Sequence, residues 1–249
     1  MAHVLQSGSS ERALESKARI LEAALKEFSI HGLAGARTES IARSAGVNKA
    51  LLYYYFESKE NLYLAALELI ATRARDATLA VLQGPYTAGE RILRTALNHF
   101  DRILSQSEFQ SLMQQEMMRL HNGEEGAMSL LVQRVFAPMI GSYEAMVREG
   151  MESGELIQAD WLQVHLCTLG TNVFYFMSSP VWRLILPYDP FDCEVLRARR
   201  KHTVEFLGQA IFNDRAHGAV LAARVLADTP MPEVKIDRLK FRRKDERAK

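Results

Sequence analysis

Lys49, Ala50, Tyr53 and Tyr54 fall on one side of a short helix with a 3.6-residue period, opposite Leu51, Leu52, Tyr55 and Phe56. An ammonium suited to guanine acceptors, a methyl suited to the thymine methyl and two phenols suited to phosphates give that side the chemistry of a DNA-reading surface. Its presentation depends on the segment before it. Thr38 is expected to N-cap a first helix, whose Ile41, Ala42 and Ala45 face inward, and Gly46 ends it in a left-handed conformation. Val47 plugs the angle between the two helices, small Ala42 lets them cross closely, and Asn48 caps the second. Arg37, Thr38, Glu39 and Asn48 therefore join Lys49, Ala50, Tyr53 and Tyr54 as candidate DNA-binding residues. Lys59 opens the next helix, where free amides and the helix dipole favour a phosphate, and it is expected to position the chain on DNA without reading bases. The alternative is an ordinary αα-corner with no ligand.

The stretch from Arg19 to Leu62 resembles the N-terminal domain of the TetR family of bacterial transcriptional regulators. The resemblance rests on Arg19, Ile20, Leu21, Ala23, Ala24 and Phe28 of an amphipathic first helix, then Gly32 and Thr38. It continues through Ile41, Ala42, Ala45, Gly46, Val47, Leu52, Tyr53, Phe56, Ser58, Lys59, Glu60 and Leu62. Three positions depart from the family pattern: Asn48 stands where Ser or Thr is usual, Tyr55 where His is frequent, and Glu39 where a longer polar or basic side chain is common. These departures bear on operator sequence. The resemblance implies an all-α protein with a three-helix helix-turn-helix domain, then a larger helical domain that binds an effector and dimerises. The division expected is 1–61, 62–213 and a C-terminal extension at 214–249.

The 249 residues are 48% hydrophobic, enough for a sizeable core beyond one small DNA-binding domain. A net charge of +1 carries no general nucleic-acid signal, so DNA binding must rest on where the charges sit. Cys167 and Cys193 form neither a C-x-x-C pair nor a disulfide framework, and the first residues lack an apolar signal core. The most apolar stretch, from Trp161 to Met177, is broken by Gln163, His165, Thr168 and Asn172. A cytoplasmic protein with no membrane association is expected.

Helix follows helix past the motif. Ser58 to Leu82 lacks Gly and Pro and is stopped by Gly84-Pro85; Thr87 with Glu90 reads as a capping box; Gly123 and Gly126 bracket a loop; Gly154 closes a helix; and Asp189-Pro190 reads as the opening of the last long helix. No alternating segment signals a strand. After Phe212 the chain runs to a basic end with Lys235, Arg238, Lys240, Arg242, Arg243 and Lys244, read as a solvated tail or as a contact for flanking phosphates.

The candidate effector pocket combines two helices. From the first come Phe109, Met113, Glu116 and Met117; from the second, Trp161, His165, Asn172 and Phe176, which mix aromatic and hydrogen-bonding groups at helical spacing. Glu116 on an apolar face needs an arginine, a donor or a ligand, and an internal ion pair is its first reading. If an arginine satisfies it, neutral or anionic effectors are favoured over cations. The aliphatic row Leu162, Leu166, Leu169 and Val173, with Val195, Leu196, Thr203, Phe206, Leu207 and Ala210 of the last long helix, is the candidate dimer seam. Two-fold pairing suits a palindromic operator on double-stranded DNA, whose half-sites lie roughly 34–36 Å apart.

The functional expectation is a homodimeric repressor released by a small, largely apolar effector. It carries no cofactor motif, no Walker loop, no H-E-x-x-H and no G-x-S-x-G, and His165 with Cys167 two residues on makes a poor metal pair, so no metal site is expected. The alternatives are the same fold without an effector, redox sensing through Cys167 or Cys193, and an unrelated helical enzyme.

Overall fold

A computed structural model describes residues 2–124 and 126–233, and the described chain is built from helices without a strand. α1 (Ala2–Gly35) is broken at Gly32, whose φ of 66° leaves the helical path. It is followed by α2 (Thr38–Ala45), α3 (Lys49–Phe56), α4 (Lys59–Leu82), α5 (Ala88–Ser105) and α6 (Ser107–His121). Two longer rods each contain one widened π turn: α7 (Ala127–Leu131) runs through Val132–Phe136 into α8 (Ala137–Glu152), and α9 (Trp161–His165) runs through Leu166–Gly170 into α10 (Thr171–Ile185). α11 (Cys193–Ala210) and α12 (Arg215–Asp228) complete the described chain. None of these helices is long and apolar enough to cross a membrane.

Local chemistry explains the helix ends. Ser58 Oγ accepts from the Asn61 amide at the start of α4, and Asp160 accepts from the Gln163 amide at the start of α9. Thr87 caps α5 by accepting from the Glu90 amide, but the reciprocal half of the box is absent, because the Glu90 carboxylate is taken by Arg94 and Arg224. Asp189-Pro190 does not open the last long helix. Asp189 instead accepts from the Phe191 amide and pairs with Arg183 at 2.9 Å, so α11 begins three residues after Pro190, at Cys193.

The chain divides into two compact units, and they do not follow the division at 61 and 213. The first comprises the described residues up to Ala74 with Glu108–Phe136; the second comprises Arg75–Ser107 and the described residues from Ala137 onward. The reason is packing. Leu112, Met113, Met128, Leu131 and Val135 share one core with Ile20, Phe28, Ile41, Leu52 and Leu62, which spacing along the chain does not reveal. In the second unit, Leu93, Leu97, Tyr143, Val147, Val204, Leu207 and Phe212 form the larger core, and Phe100, Phe176, Phe191 and Leu196 form a smaller one.

Within the extension expected at 214–249, Arg215–Asp228 form α12. Leu221, Ala222 and Val225 are buried in the larger core, Asp214 caps the helix by accepting from the amides of Ala216 and His217, and Arg94 reaches Asp228 at 2.9 Å. The basic positions from Lys235 to Lys244 lie outside the described residues.

α11 and α12 cross at two glycines. A Cβ on Gly218 would stand 1.9 Å from the Gly208 carbonyl oxygen, and one on Gly208 would stand 2.6 Å from the Gly218 carbonyl oxygen. Both obstacles are backbone, which a rotamer change cannot relieve. Gly218→Ala should therefore destabilise the protein by about 2–3 kcal/mol, read as a fall in the urea midpoint. Gly141→Ala in α8 meets nothing within 4 Å and should stabilise by about 0.5–1 kcal/mol through the helix-propensity difference.

Candidate nucleic-acid interface and effector site

The turn between α2 and α3 has the geometry its residues imply. Gly46 adopts φ 67° and ψ 36°, and the Val47 amide donates to the Ala42 carbonyl at 3.0 Å. Ile41, Ala42 and Ala45 are buried, Val47 packs against the same core, and Asn48 accepts from the Leu51 amide at 2.7 Å. Leu52 and Phe56 point inward, whereas Lys49, Ala50, Tyr53 and Tyr54 are exposed, Tyr54 by 78%.

Thr38 differs from expectation. It is the first residue inside α2 and Arg37 holds the cap position without a side-chain bond, so the Thr38 hydroxyl does not cap; it is buried, 3.4 Å from the Tyr53 hydroxyl. The Arg37 amide donates to the Glu27 carboxylate. Exposed Glu39 pairs with Lys49, whose hydrogen bond holds the Glu39 carboxyl below its ordinary value. The Lys49 ammonium also lies 5.7 Å from the Tyr53 ring centre. Lys59 donates to the Ala34 carbonyl at 3.1 Å, tying the end of α1 to the first residue of α4.

Glu116 is 1% exposed, and one of its oxygens accepts from the Tyr63 hydroxyl at 2.7 Å and from Arg119 at 2.9 Å. Burial, reinforced by this carboxylate, holds the Tyr63 phenol protonated well above its ordinary range. Phe109 and Met113 pack in the first unit's core, and Met117 is exposed. The first four pocket candidates thus belong to the first unit's core and surface. Helical periodicity identified a buried face there and could not say which core it joined.

The second unit contains an enclosed cavity of about 20 Å³, and of the eight pocket candidates only His165 lines it. Trp161 packs on the larger core, Asn172 donates to the Ala96 carbonyl at 3.0 Å, and the Phe176 ring sits 5.1 Å from that of Phe100. The cavity's polar lining comes mainly from residues the sequence reading passed over: His99 and Arg102, one turn apart on α5, and Tyr143 on α8. The available signal was a histidine and an arginine three residues apart on an otherwise apolar helix face.

His99 is 8% exposed, and its pKa falls to about 3 because burial penalises its charge and Arg102 and His165 repel it. Burial also lowers His165, and it lowers Arg102 to about 10. Arg102 donates to Asn98 Oδ1 at 2.9 Å and Thr78 Oγ1 at 3.2 Å. The Tyr143 ring meets His165 edge-on at 4.7 Å, and its hydroxyl donates to Thr168 at 3.0 Å.

The dimer-seam candidates are divided. Leu162, Leu166, Phe206 and Ala210 are exposed and Leu169, Val173 and Val195 half-buried, whereas Leu196, Thr203 and Leu207 are buried within their own chain. The exposed row of α10 extends beyond them through Phe174, Met177, Val181 and Leu184. Cys167 is half-buried and accepts from Gln163; Cys193 is exposed at the start of α11, and its nearby cation, Arg197, is engaged by Glu194.

Buried His99 and half-buried His165 set an acid limit on stability. A histidine whose folded pKa is depressed binds its proton in the unfolded chain first, so stability should fall as pH drops from about 6.5 toward the folded value of about 3. The limiting contribution of His99 is about 1.4 kcal/mol per pH unit. His99→Leu should remove that contribution, and urea denaturation of both proteins across this window measures the difference in slope.

The family description for bacterial regulatory proteins of the tetR family matches residues 20–66, and that for the tetracyclin repressor-like C-terminal domain matches residues 89–207. The HTH-type transcriptional repressor NicS of Pseudomonas putida is 29% identical over 171 residues, 68% of this chain and 79% of that protein. The HTH-type transcriptional regulator RutR of Escherichia coli is 50% identical over 68 residues, which span 27% of this chain and only 32% of RutR. A putative transcriptional regulator from Saccharomonospora viridis in complex with choline shares the fold, with a TM-score of 0.64 and 19% identity over 80% of this chain and 99% of that one. A gamma-butyrolactone receptor described as ArpA-like does so with a TM-score of 0.57 and 18% identity over 87% and 100% of the two chains. The N-terminal match contains α2 and α3 with their exposed cation and phenols, and the C-terminal match contains the α5, α8 and α9 residues around the cavity; the chain belongs to the TetR family of DNA-binding transcriptional regulators and is not an enzyme.

Proposed function

We propose that the protein represses transcription by binding a palindromic operator as a homodimer, and that a small molecule occupying the second unit releases it. The observation that carries this reading is the outer face of α3, where Lys49, Ala50, Tyr53 and Tyr54 are left in solvent opposite buried Leu52 and Phe56. In this reading Lys49 and Ala50 approach base edges, while Tyr53, Tyr54 and Lys59 hold phosphates, with Arg37, Thr38, Glu39 and Asn48 supporting them. The Lys49–Glu39 pair is exposed, and a surface pair of this kind adds little net stability, so the ammonium can exchange its carboxylate for a guanine.

Dimerisation is supported by the apolar row Leu162, Leu166, Phe174, Met177, Val181 and Leu184, which a single chain leaves in water, Leu184 by 88%. This seam draws more on α9 and α10 than on the inner face of α11, whose Leu196 and Leu207 are already spent inside the chain. The effector reading draws support from the choline held by the S. viridis regulator of the same fold. Any such molecule acts only through different affinities for the DNA-bound and DNA-free states, and the coupling is reciprocal. Arg119 pairs with one oxygen of Glu116, and Glu116 lies in the first unit, so this carboxylate gives no reason to favour a cationic effector over neutral or anionic molecules in the second.

Protection mapping of the DNA around the protein's own gene tests the reading, with a two-fold symmetric footprint as the expected result. Lys49→Ala should cost about 1–3 kcal/mol in operator binding and relax preference at one base pair of each half-site, measured by competition among single-base operator variants. Lys59→Ala should weaken all sequences alike and flatten the salt dependence. Leu166→Asp should shift the protein toward monomer in sedimentation and weaken operator binding in step. A thermal-shift screen across compound classes, followed by operator release, identifies an effector of any chemistry.

A further inference from the structure

We infer that the enclosed cavity of the second unit is a hydration site, in which one structural water bridges His99 of α5 and His165 of α9. The inference is independent of the effector reading above, because it concerns a bond between two helices of the unit and not a molecule that releases DNA.

His99 and His165 line one space, and each has an Nδ1 that is shut off from bulk solvent and has no hydrogen-bond partner among the described residues. His99 is more than nine-tenths buried. Buried polar atoms are ordinarily satisfied, so two orphaned nitrogens at one cavity call for a shared partner. The neighbouring hydroxyls do not supply it. The Tyr143 hydroxyl donates to Thr168 at 3.0 Å, and the Thr95 hydroxyl donates to the Arg91 carbonyl at 2.7 Å.

Size and chemistry identify the partner. The space of about 20 Å³ suffices for one water, and a larger guest would have to displace side chains. Burial lowers the basicity of both imidazoles and keeps them neutral, so each ring carries one N–H and one bare nitrogen. Water donates and accepts, and it can therefore bond both Nδ1 atoms whichever tautomers are present. A halide only accepts and serves no bare nitrogen. A metal ion would bind bare nitrogens but stand beside the Arg102 guanidinium, which lines the same space.

The water ties two helices that meet nowhere else through these rings. His165 is the last residue of α9 before the widened turn Leu166–Gly170, and the Tyr143 ring of α8 holds it edge-on at 4.7 Å. Removing either histidine leaves the nitrogen of the other dry, which couples the two positions energetically.

The test uses the full-length protein. A crystal structure that resolves ordered water, grown in bromide in place of chloride, should show one oxygen peak within hydrogen-bond distance of both Nδ1 atoms and no bromine anomalous signal there. In urea denaturation, the midpoint lost by the double variant of His99→Leu and His165→Leu should be smaller than the sum of the two single losses, because the second substitution removes the nitrogen that the first left dry. If a variant fails to fold, the crystal structure of the unsubstituted protein decides alone. No density between the rings, bromine in the site, rings turned so that carbon faces the space, or strictly additive midpoint losses would each overturn the bridging water.

Discussion

A buried charge must find a partner, and in an all-helical protein that partner is rarely a backbone group, because helices consume their own amides and carbonyls. The partner must be another side chain, often on another helix, and much of the architecture follows from these ties. In the first unit, Glu116 of α6 is matched by Tyr63 of α4 and by Arg119 of its own helix, which ties α6 to α4. In the second, Glu90 of α5 accepts from Arg94 and from Arg224 of α12, and Asp101 of α5 forms a two-bond pair with Arg200 of α11 at 2.7 and 2.8 Å. Arg200 also donates to the Thr229 carbonyl just past α12, so one guanidinium joins three segments. Truncating one member of such a set leaves the other charged and dry, which explains why these residues hold helices distant in sequence.

Where the chain itself leaves the same constraint unmet, an occupant from outside becomes the better explanation. His99 and His165 keep unpartnered nitrogens beside a guanidinium and a phenol, at a cavity lined otherwise by Thr78, Thr95, Leu82, Met139, Ile140 and Leu169. A core optimised for stability alone would fill that space with aliphatic side chains. The outward sides of α3 and α10 show the complementary exception. Tyr54 and Leu184 expose large rings or branches that a monomer working alone would bury, and the proposed reading gives each face an occupant: the groove of DNA for the first, a second chain for the second.

The helical class, the turn at Gly46, the cap at Asn48 and the sorting of α3 into Leu52 and Phe56 against Lys49, Tyr53 and Tyr54 were legible from residue types and spacing. All of these are decided within one or two helical turns, where propensity, capping and the 3.6-residue period act directly. The carboxylate of Glu116 likewise announced its need for a partner, because desolvation cost depends on residue type before it depends on geometry. What failed locally failed through competition: Thr38 turned inward to Tyr53, the Glu90 carboxylate was claimed by two arginines, and Asp189 was engaged by Arg183 and the Phe191 amide. Side chains brought from elsewhere outbid the nearest backbone amide.

Which buried faces share a core was decided only by tertiary structure. The period that marks Phe109 and Met113 as buried is the same one that marks Trp161 and Phe176, and it contains no information on which helix lies opposite. The fold assigns the first pair to a core with Phe28 and Leu62, and it gives the second unit's cavity to His99 and Arg102 of α5. It also turns residues after Phe212 into α12, because Gly208 and Gly218 let two backbones approach to a separation that no side chain would permit. Periodicity specifies a direction of burial; the identity of the neighbour depends on shape and charge brought together from across the chain.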